Sequence, residues 1–308
     1  MLRSQFHLNR LGSIQENDVP TRIVGYEGID PDTCTFYRRA LTTLLESGVA
    51  FLVGGAYGMA YYTGIARHIK DLDIFVLPQD YKRVLDVLCA AGYPTEKTFP
   101  SWLGKALQGT DNIDVIFSSG NGIARVDETW FAPVIEAELF DMTLRICPAE
   151  EIIWSKATIM GHERYDGADI AHLLHACGAH LDWNRLLKRF DSHWEVLLSH
   201  LILFGYIYPT ERSQIPDWVM QQLLDALRHE MARPPRPERI CRGTLLSWDQ
   251  YRVDVEQRGY HDARLVPWGL MTASDIEHFT AVLTGAKRTR PRSPLPRPFG
   301  RLRWSRRA

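Results

Sequence analysis

Two aspartates, Asp71 and Asp73, stand one residue apart in an apolar segment, and this spacing could place metal-binding chemistry on one face of a strand. Side chains of a strand alternate between its two faces, so both carboxylates point the same way while Leu72 and Ile74 point to the core. Hard cations such as Mg²⁺ prefer oxygen ligands and often share them with substrate phosphates. The pair therefore predicts Mg²⁺-dependent phosphate chemistry.

A glycine pair, Gly54-Gly55, ends the apolar run that precedes this segment. Glycine allows close approach to the backbone, so main-chain N–H groups at the start of a following helix can bind phosphates. On its own the pair is equally compatible with an ordinary tight turn. Followed by the aspartate pair, it predicts a phosphate-binding turn.

A third carboxylate, Asp114, alternates with Ile113 and Val115 in a second apolar segment and so faces away from the core. Two-metal transfer requires carboxylates around two cations about 3.5 to 4 Å apart. We therefore predict that Asp71, Asp73 and Asp114 hold two Mg²⁺ ions, and that Asp114 also helps to deprotonate an attacking hydroxyl. The alternative is a set of exposed aspartates on surface strands.

The elements that must position these residues follow from turn signals and apolar spacing. Up to residue 147 we predict helices at 31–47, 56–62 and 78–91, strands at 49–53, 71–76 and 143–147, and a hairpin of strands 103–107 and 112–118. From Pro148 onward we predict helices at about 148–160, 168–177, 182–190, 193–208, 216–232 and 273–285. The predicted fold class is α+β, with a small mixed β-sheet domain flanked by helices and a mainly helical domain behind it.

We predict four regions along the chain: an N-terminal extension at 1–30, the sheet domain at 31–147, the helical domain at 148–286 and a basic tail at 287–308. The tail carries one lysine, eight arginines and no acidic residue, which leaves a net charge of −10 for the rest of a chain whose total is −1. Such a tail could neutralise nucleic-acid phosphates or simply be solvated.

The combination of Gly54-Gly55, the segment Arg67-His-Ile-Lys70-Asp71-Leu-Asp73 and Asp114 resembles the DNA polymerase β-type nucleotidyltransferases, and within them the AbiEii-like members. Arg67 matches an arginine that the family places four residues before the first aspartate. Ile69 stands where a threonine or serine is common, and fifteen residues separate Gly55 from Asp71, more than in shorter members. The resemblance implies Mg²⁺-dependent transfer from an NTP, with Arg67 and Lys70 among the nucleotide-binding residues.

Lys156 is predicted to project from an apolar helix face, because Ile152, Ile153 and Met160 lie one turn from it. The resemblance implies that this lysine contacts nucleotide phosphate and that Asp169 is the acidic residue that follows it. The alternatives are a lysine at the rim of the core and an aspartate that caps a helix.

The acceptor hydroxyl is not identified by the sequence; the arginine tail weakly favours RNA over a protein or a small molecule, and the resemblance adds a possible partner antitoxin. One alternative function is a nucleotide- or RNA-binding module with weak catalysis. Another is a histidine-metal phosphohydrolase, because His172 and His175 lie three residues apart near His162, His180 and His193.

The five widely spaced cysteines indicate neither a disulfide framework nor a zinc motif, and the longest apolar tract, residues 196–208, is too short to span a membrane. We therefore predict a cytoplasmic protein without a membrane partner.

Overall fold

The computed structural model describes residues 21–23, 29–65, 71–235 and 237–278. The strands are β1 (Thr21–Arg22), β2 (Leu52–Val53), β3 (Leu72–Phe75), β4 (Thr95–Phe99), β5 (Leu103–Gln108), β6 (Asp111–Ile116), β7 (Glu136–Leu139), β8 (Met142–Arg145), β9 (Ile240–Cys241) and β10 (His261–Asp262). The α-helices are α1 (Pro31–Glu46), α2 (Gly55–Thr63), α3 (Tyr81–Ala90), α4 (Ala149–Ala157), α5 (Gly167–Cys177), α6 (Trp183–Phe190), α7 (Trp194–Ile207), α8 (Asp217–Met231) and α9 (Trp248–Glu256).

A five-stranded sheet with the order β2-β3-β6-β5-β4 forms the centre of the first half of the chain. Strands β3 and β6 are parallel, whereas the other three pairs are antiparallel. The sheet is therefore mixed, and helices cover both of its faces. This arrangement confirms the predicted α+β class.

Alternation along β3 gives each sheet face its own core. Leu72, Ile74 and Val76 pack with α1 and α3 on one face. On the other face Phe75 packs with α4 and the helices that follow it. The second core includes residues from both sides of the predicted domain division at residue 147, and that division stays a prediction.

A smaller sheet, β1-β7-β8, adjoins the central one. The N–H of Cys147 donates to the carbonyl of Val53 over 2.8 Å, so the chain leaving β8 is fixed beside β2 just before α4 begins. Through this contact the position of α4 is tied to the strand that leads into the glycine pair.

The predicted helices of the described region are present, with ends that differ by up to three residues. The predicted strand at 49–53 is shorter, because only Leu52–Val53 pair with β3. The sequence did not predict β4, a polar edge strand, or α9, which has no buried residue. Neither contains the apolar periodicity on which sequence prediction relies.

Three groups of predictions lie outside the described residues: most of the N-terminal extension, the structure of the basic tail, and the placement of Arg67 and Lys70. Of the predicted helix at 273–285, helical residues are described at 273–278. Among the helices that are described, none has the length and apolar character that crossing a bilayer would need.

Candidate active site

Strand register brings the predicted carboxylates together on one face of the sheet. Asp73 and Asp114 are direct partners across the parallel β3–β6 pair. Asp71 stands two residues before Asp73, just ahead of β3, and lies near enough to both other carboxylates for its charge to raise the pKa of Asp73 and of Asp114. On the far side of Asp114 its antiparallel partner is Lys105. One row across the sheet therefore contains Asp73, Asp114 and Lys105, in that order. We call this row, together with the neighbouring Asp71, the carboxylate row.

The glycine pair continues this row beyond Asp73. The N–H of Gly54 donates to the main-chain carbonyl of Asp73 over 3.0 Å. Gly55 has φ of +53°, and a Cβ atom there would lie 1.7 Å from Oδ2 of Asp73. A Cβ at Gly54 would lie 2.2 Å from the ring of Phe75. Only glycine at both positions lets the turn approach β3 this closely.

Helix α2 begins at this turn, with Gly54 as a cap residue that offers no side-chain hydrogen bond. The first N–H groups of a helix have no partners within the helix, and the helix dipole adds positive potential there. These donors lie beside the Asp73 carboxylate. Phosphate oxygens and a cation can therefore be bound next to each other at this point.

The electrostatics of the row reflect crowded negative charge. Burial raises the pKa of Asp73 to about 7, and the Asp114 carboxylate adds to the rise, whereas Lys156 and Arg164 oppose it. Burial also raises the pKa of Asp114, although its hydrogen bond from Lys105 works in the opposite direction. A cation beside these carboxylates would relieve the repulsion between them.

Lys156 lies in the last turn of α4 and is held by two carboxylates at the start of α5. Its Nζ donates to Oδ2 of Asp166 and to Oδ2 of Asp169, each over 2.9 Å. Arg164 binds the same Asp166 carboxylate through Nε at 2.9 Å and Nη2 at 2.8 Å. We call these four residues the charged cluster.

Burial raises the pKa of Asp166, but the hydrogen bonds from Arg164 and the charge of Lys156 outweigh that effect and lower it overall. Asp166 is therefore a strongly ionised carboxylate. Lys156 is 13% exposed, so it is neither solvated nor at an open rim.

The charged cluster lies near the carboxylate row, and the helices that carry it pack against α2. Helix α2 packs on both α4 and α5. Gly58 makes the approach to α4 close, because a Cβ there would lie 2.9 Å from Cδ1 of Ile152. Lys156 and Arg164 are near enough to Asp73 to lower its pKa. The glycine turn, the carboxylate row and Lys156 thus surround one region.

Asp71 and Asp73 are better suited to bind Mg²⁺ than Asp114 is. Asp71 and Asp73 lie near each other and offer the carboxylate oxygens that this cation prefers. Asp114, in contrast, accepts hydrogen bonds at Oδ1 from both Lys105 and Asn112. Within the described ranges no group of three or more His, Cys, Asp or Glu side chains is arranged to hold a metal ion. The residues therefore fit one cation held by two carboxylates and substrate oxygens; the two-metal site stays a prediction.

The histidines that suggested a phosphohydrolase serve as packing groups where the structure gives their contacts. The His175 ring packs against Tyr208 with 4.8 Å between centroids. A further histidine, His200 on α7, is buried, and its Nε2 lies 2.8 Å from the carbonyl oxygen of Ala157. These contacts give the phosphohydrolase interpretation no support.

Sequence reasoning missed three residues of this region: Lys105, Arg164 and Asp166. Lys105 could have been found, because the two-residue connection between β5 and β6 fixes their register and places residue 105 opposite residue 114. Arg164 and Asp166 stand in the irregular segment before α5, where spacing carries little information. Asp169 binds Lys156 in the structure, in addition to standing in the first turn of α5.

Comparison with known proteins finds solved structures that resemble this chain at low sequence identity and low TM-score. No family model and no curated protein matches the chain. Among solved structures, the antibiotic-resistance factor ANT(2'')-Ia aligns with 16% identity and a TM-score of 0.40 over 56% of this chain and 98% of its own. The lincosamide adenylyltransferase LnuA aligns with 18% identity and a TM-score of 0.34 over 47% of this chain and 96% of its own.

JHP933 from Helicobacter pylori aligns with 14% identity and a TM-score of 0.34 over 67% of this chain and 99% of its own. At these TM-scores the alignments do not decide a family. The functional argument rests on the residues of the site.

Proposed function

We propose that the protein is a Mg²⁺-dependent nucleotidyltransferase, which moves an NMP group from an NTP to an acceptor hydroxyl. The observation that carries this proposal is the in-register pairing of Asp73 with Asp114 beside a glycine turn that tolerates no side chain. Asp71 and Asp73 are the proposed ligands of the cation. The Gly54-Gly55 turn presents the first N–H groups of α2 to the phosphates, while the N–H of Gly54 itself is bound to the carbonyl of Asp73.

In the proposed reaction the acceptor oxygen forms a bond to the α-phosphorus of the NTP. The bond from the α-phosphorus to the bridging oxygen breaks, and its electron pair leaves with pyrophosphate. The hydroxyl proton passes to Asp114, whose pKa is raised by burial and which is therefore a better base than an exposed aspartate. Bound Mg²⁺ would supply charge neutralisation at the triphosphate oxygens.

Lys156 is the proposed phosphate contact on the helical side, with Asp169 holding its side chain in place. In the structure the lysine is engaged by two carboxylates, so a triphosphate must compete with Asp166 and Asp169 for it. Arg164 already binds Asp166 through two hydrogen bonds and compensates that carboxylate if Lys156 turns to the nucleotide. Arg67 and Lys70 are further proposed nucleotide contacts on the strength of the motif alone.

For the acceptor we propose RNA ahead of a protein or a small molecule, because the basic tail suits a polyanion. A partner antitoxin is part of the same proposal through the AbiEii-like resemblance.

The test is to incubate the protein with α-labelled NTPs, Mg²⁺ and cell lysate, and to identify any macromolecule that retains label after nucleotide removal. The proposal expects labelled acceptor with wild-type protein and at least a hundredfold less with Asp71→Asn or Asp73→Asn. Asp141→Asn is the matched control, because this exposed aspartate pairs with Arg38 away from the carboxylate row.

Tight NTP binding without transfer to any acceptor would favour the alternative, a binding module with weak catalysis. The engagement of Asp114 by Lys105 and Asn112 is the observation that keeps this alternative open. Transfer that survives both aspartate substitutions would overturn the proposed site.

A further inference from the structure

Lys105 supplies a positive charge inside the carboxylate row. It is the antiparallel partner of Asp114 and stands on the opposite side of it from Asp73. Its Nζ lies 2.8 Å from Oδ1 of Asp114, and the two side chains are only 22% and 13% exposed. The pair is thus an ion pair shielded from solvent, unlike the surface pair of Lys82 and Asp86, whose side chains are more than 60% exposed.

The position of Lys105 is set by the backbone and not by a flexible loop. Six consecutive residue pairs join β5 and β6, and a two-residue connection closes the hairpin. Asn112, two residues before Asp114 and therefore on the same face, donates to the same carboxylate oxygen. Two donors thus hold Oδ1 of Asp114, and one of them, Lys105, comes from the strand on the side away from Asp73.

A second divalent cation bound to Asp114 would lie close to this ammonium, because both positive charges would share one carboxylate. Two-metal sites place their ions about 3.5 to 4 Å apart and need a carboxylate that reaches both. Charges of the same sign repel strongly at about 4 Å, even under the screening typical of a protein surface, and a divalent ion doubles that repulsion.

We propose that Lys105 takes the place of a second metal ion, so that the protein binds its nucleotide with one divalent cation, held by Asp71 and Asp73. This inference rests on the proposed function, because it assigns the cation number of the same site. Lys105 is a positioning residue: its ammonium fixes the Asp114 carboxylate beside the position of the acceptor hydroxyl.

The test counts Mn²⁺ ions by the electron paramagnetic resonance of free Mn²⁺, titrated into protein saturated with α,β-methylene ATP. We expect one Mn²⁺ per nucleotide complex for wild-type protein and for Lys105→Arg, which keeps the charge. For Lys105→Met we expect two, because the place beside Asp114 becomes available. Lys82→Met, which removes a lysine from an exposed ion pair, is expected to keep one.

Two Mn²⁺ ions in the wild-type complex would overturn the inference while leaving the proposed function intact. One Mn²⁺ in a folded Lys105→Met complex would also overturn it, because the ammonium would then exclude nothing. Circular dichroism establishes that this variant is folded, and Asn112→Ala gives a second measurement: with Lys105 retained, it is expected to keep one ion. Absence of any nucleotide-dependent Mn²⁺ binding in wild-type protein would overturn the proposed function itself.

Discussion

Gly55 shows how a single residue determines whether the site can form. Its positive φ is strained for any residue with a side chain, and a Cβ would collide with the Asp73 carboxylate at 1.7 Å. The strain affects stability, whereas the collision affects function, because it would push the Asp73 carboxylate, a proposed cation ligand, out of the carboxylate row.

We predict that Gly55→Ala lowers the rate of nucleotidyl transfer at least a hundredfold, because the added methyl group displaces Asp73. The control is Gly48→Ala, which has a similar φ of +67° but no atom within 4 Å of the added Cβ. Both variants should lose stability through strain of about 1 kcal/mol. Equal transfer rates in the two variants would contradict the role assigned to Gly55.

Asp73 also makes stability depend on pH. Its pKa is about 7 in the folded protein and 3.8 as the reference value. Between these values the folded state binds more protons than the unfolded state, so the free energy of unfolding falls as pH rises through this window. Below the window the group has no effect, and above it the destabilisation is complete.

We therefore predict that metal-free Asp73→Asn melts slightly above wild-type protein at pH 4.5 and several degrees above it at pH 8. Thermal unfolding followed by circular dichroism, with chelator present, measures both. If the difference between wild type and variant stayed constant from pH 4.5 to pH 8, the shifted pKa of Asp73 would be refuted.

At the scale of elements, the sequence predicted the individual helices and strands better than it predicted which strands pair with one another. Turn signals located α1, α2 and the β5–β6 hairpin, and strand alternation correctly put Leu72 and Ile74 in the core. The parallel pairing of β3 with β6 was not predictable in this way, because it joins segments forty residues apart through α3 and two other strands. That pairing, however, is what brings Asp114 to Asp73.

The charged cluster illustrates the same limit. An apolar face around Lys156 was visible in the sequence, but its partners were not, because they depend on how the chain turns between α4 and α5. In the structure the turn places Asp166 and Asp169 on the lysine. A side chain without local partners in the sequence can thus be fully paired in the fold.

We predict that Lys156→Met weakens binding of α,β-methylene ATP at least tenfold and costs roughly 1 to 3 kcal/mol of stability, because two carboxylates lose a charged donor. Calorimetric titration and urea unfolding measure the two effects. Lys82→Met, which affects only an exposed pair, serves as the control. Unchanged nucleotide affinity in Lys156→Met would remove this lysine from the site.

At the scale of the whole molecule, a buried ion network joins the helices to the rest of the chain. The Glu151 side chain in α4 is fully buried, and its Oε1 accepts from Nε of Arg185 and of Arg189, each over 2.8 Å. Arg189 also binds Asp127 at 2.7 Å and lies over the ring of Trp154. The network connects α4 and α6 to the segment before β7, and it therefore holds the helix that carries Lys156.

We predict that Glu151→Ala lowers the free energy of unfolding by roughly 3 to 5 kcal/mol, because two arginines lose their shared buried partner. Urea unfolding measures the change. Glu256→Ala is the comparison, since it pairs with Arg252 on α9 with both side chains about half exposed, and its removal should cost less than about 1 kcal/mol. A loss of similar size in both variants would mean that the network does not hold the helices in place.

The direct measurement of the central claim compares the fate of two labels on the same nucleotide. Purified protein, Mg²⁺ and acceptor are incubated once with α-labelled and once with γ-labelled NTP. We expect the α-label to become covalently attached to the acceptor and the γ-label to appear in pyrophosphate, with both lost in Asp73→Asn. Transfer of the γ-label to the acceptor, or release of free phosphate in its place, would contradict nucleotidyl transfer at the carboxylate row.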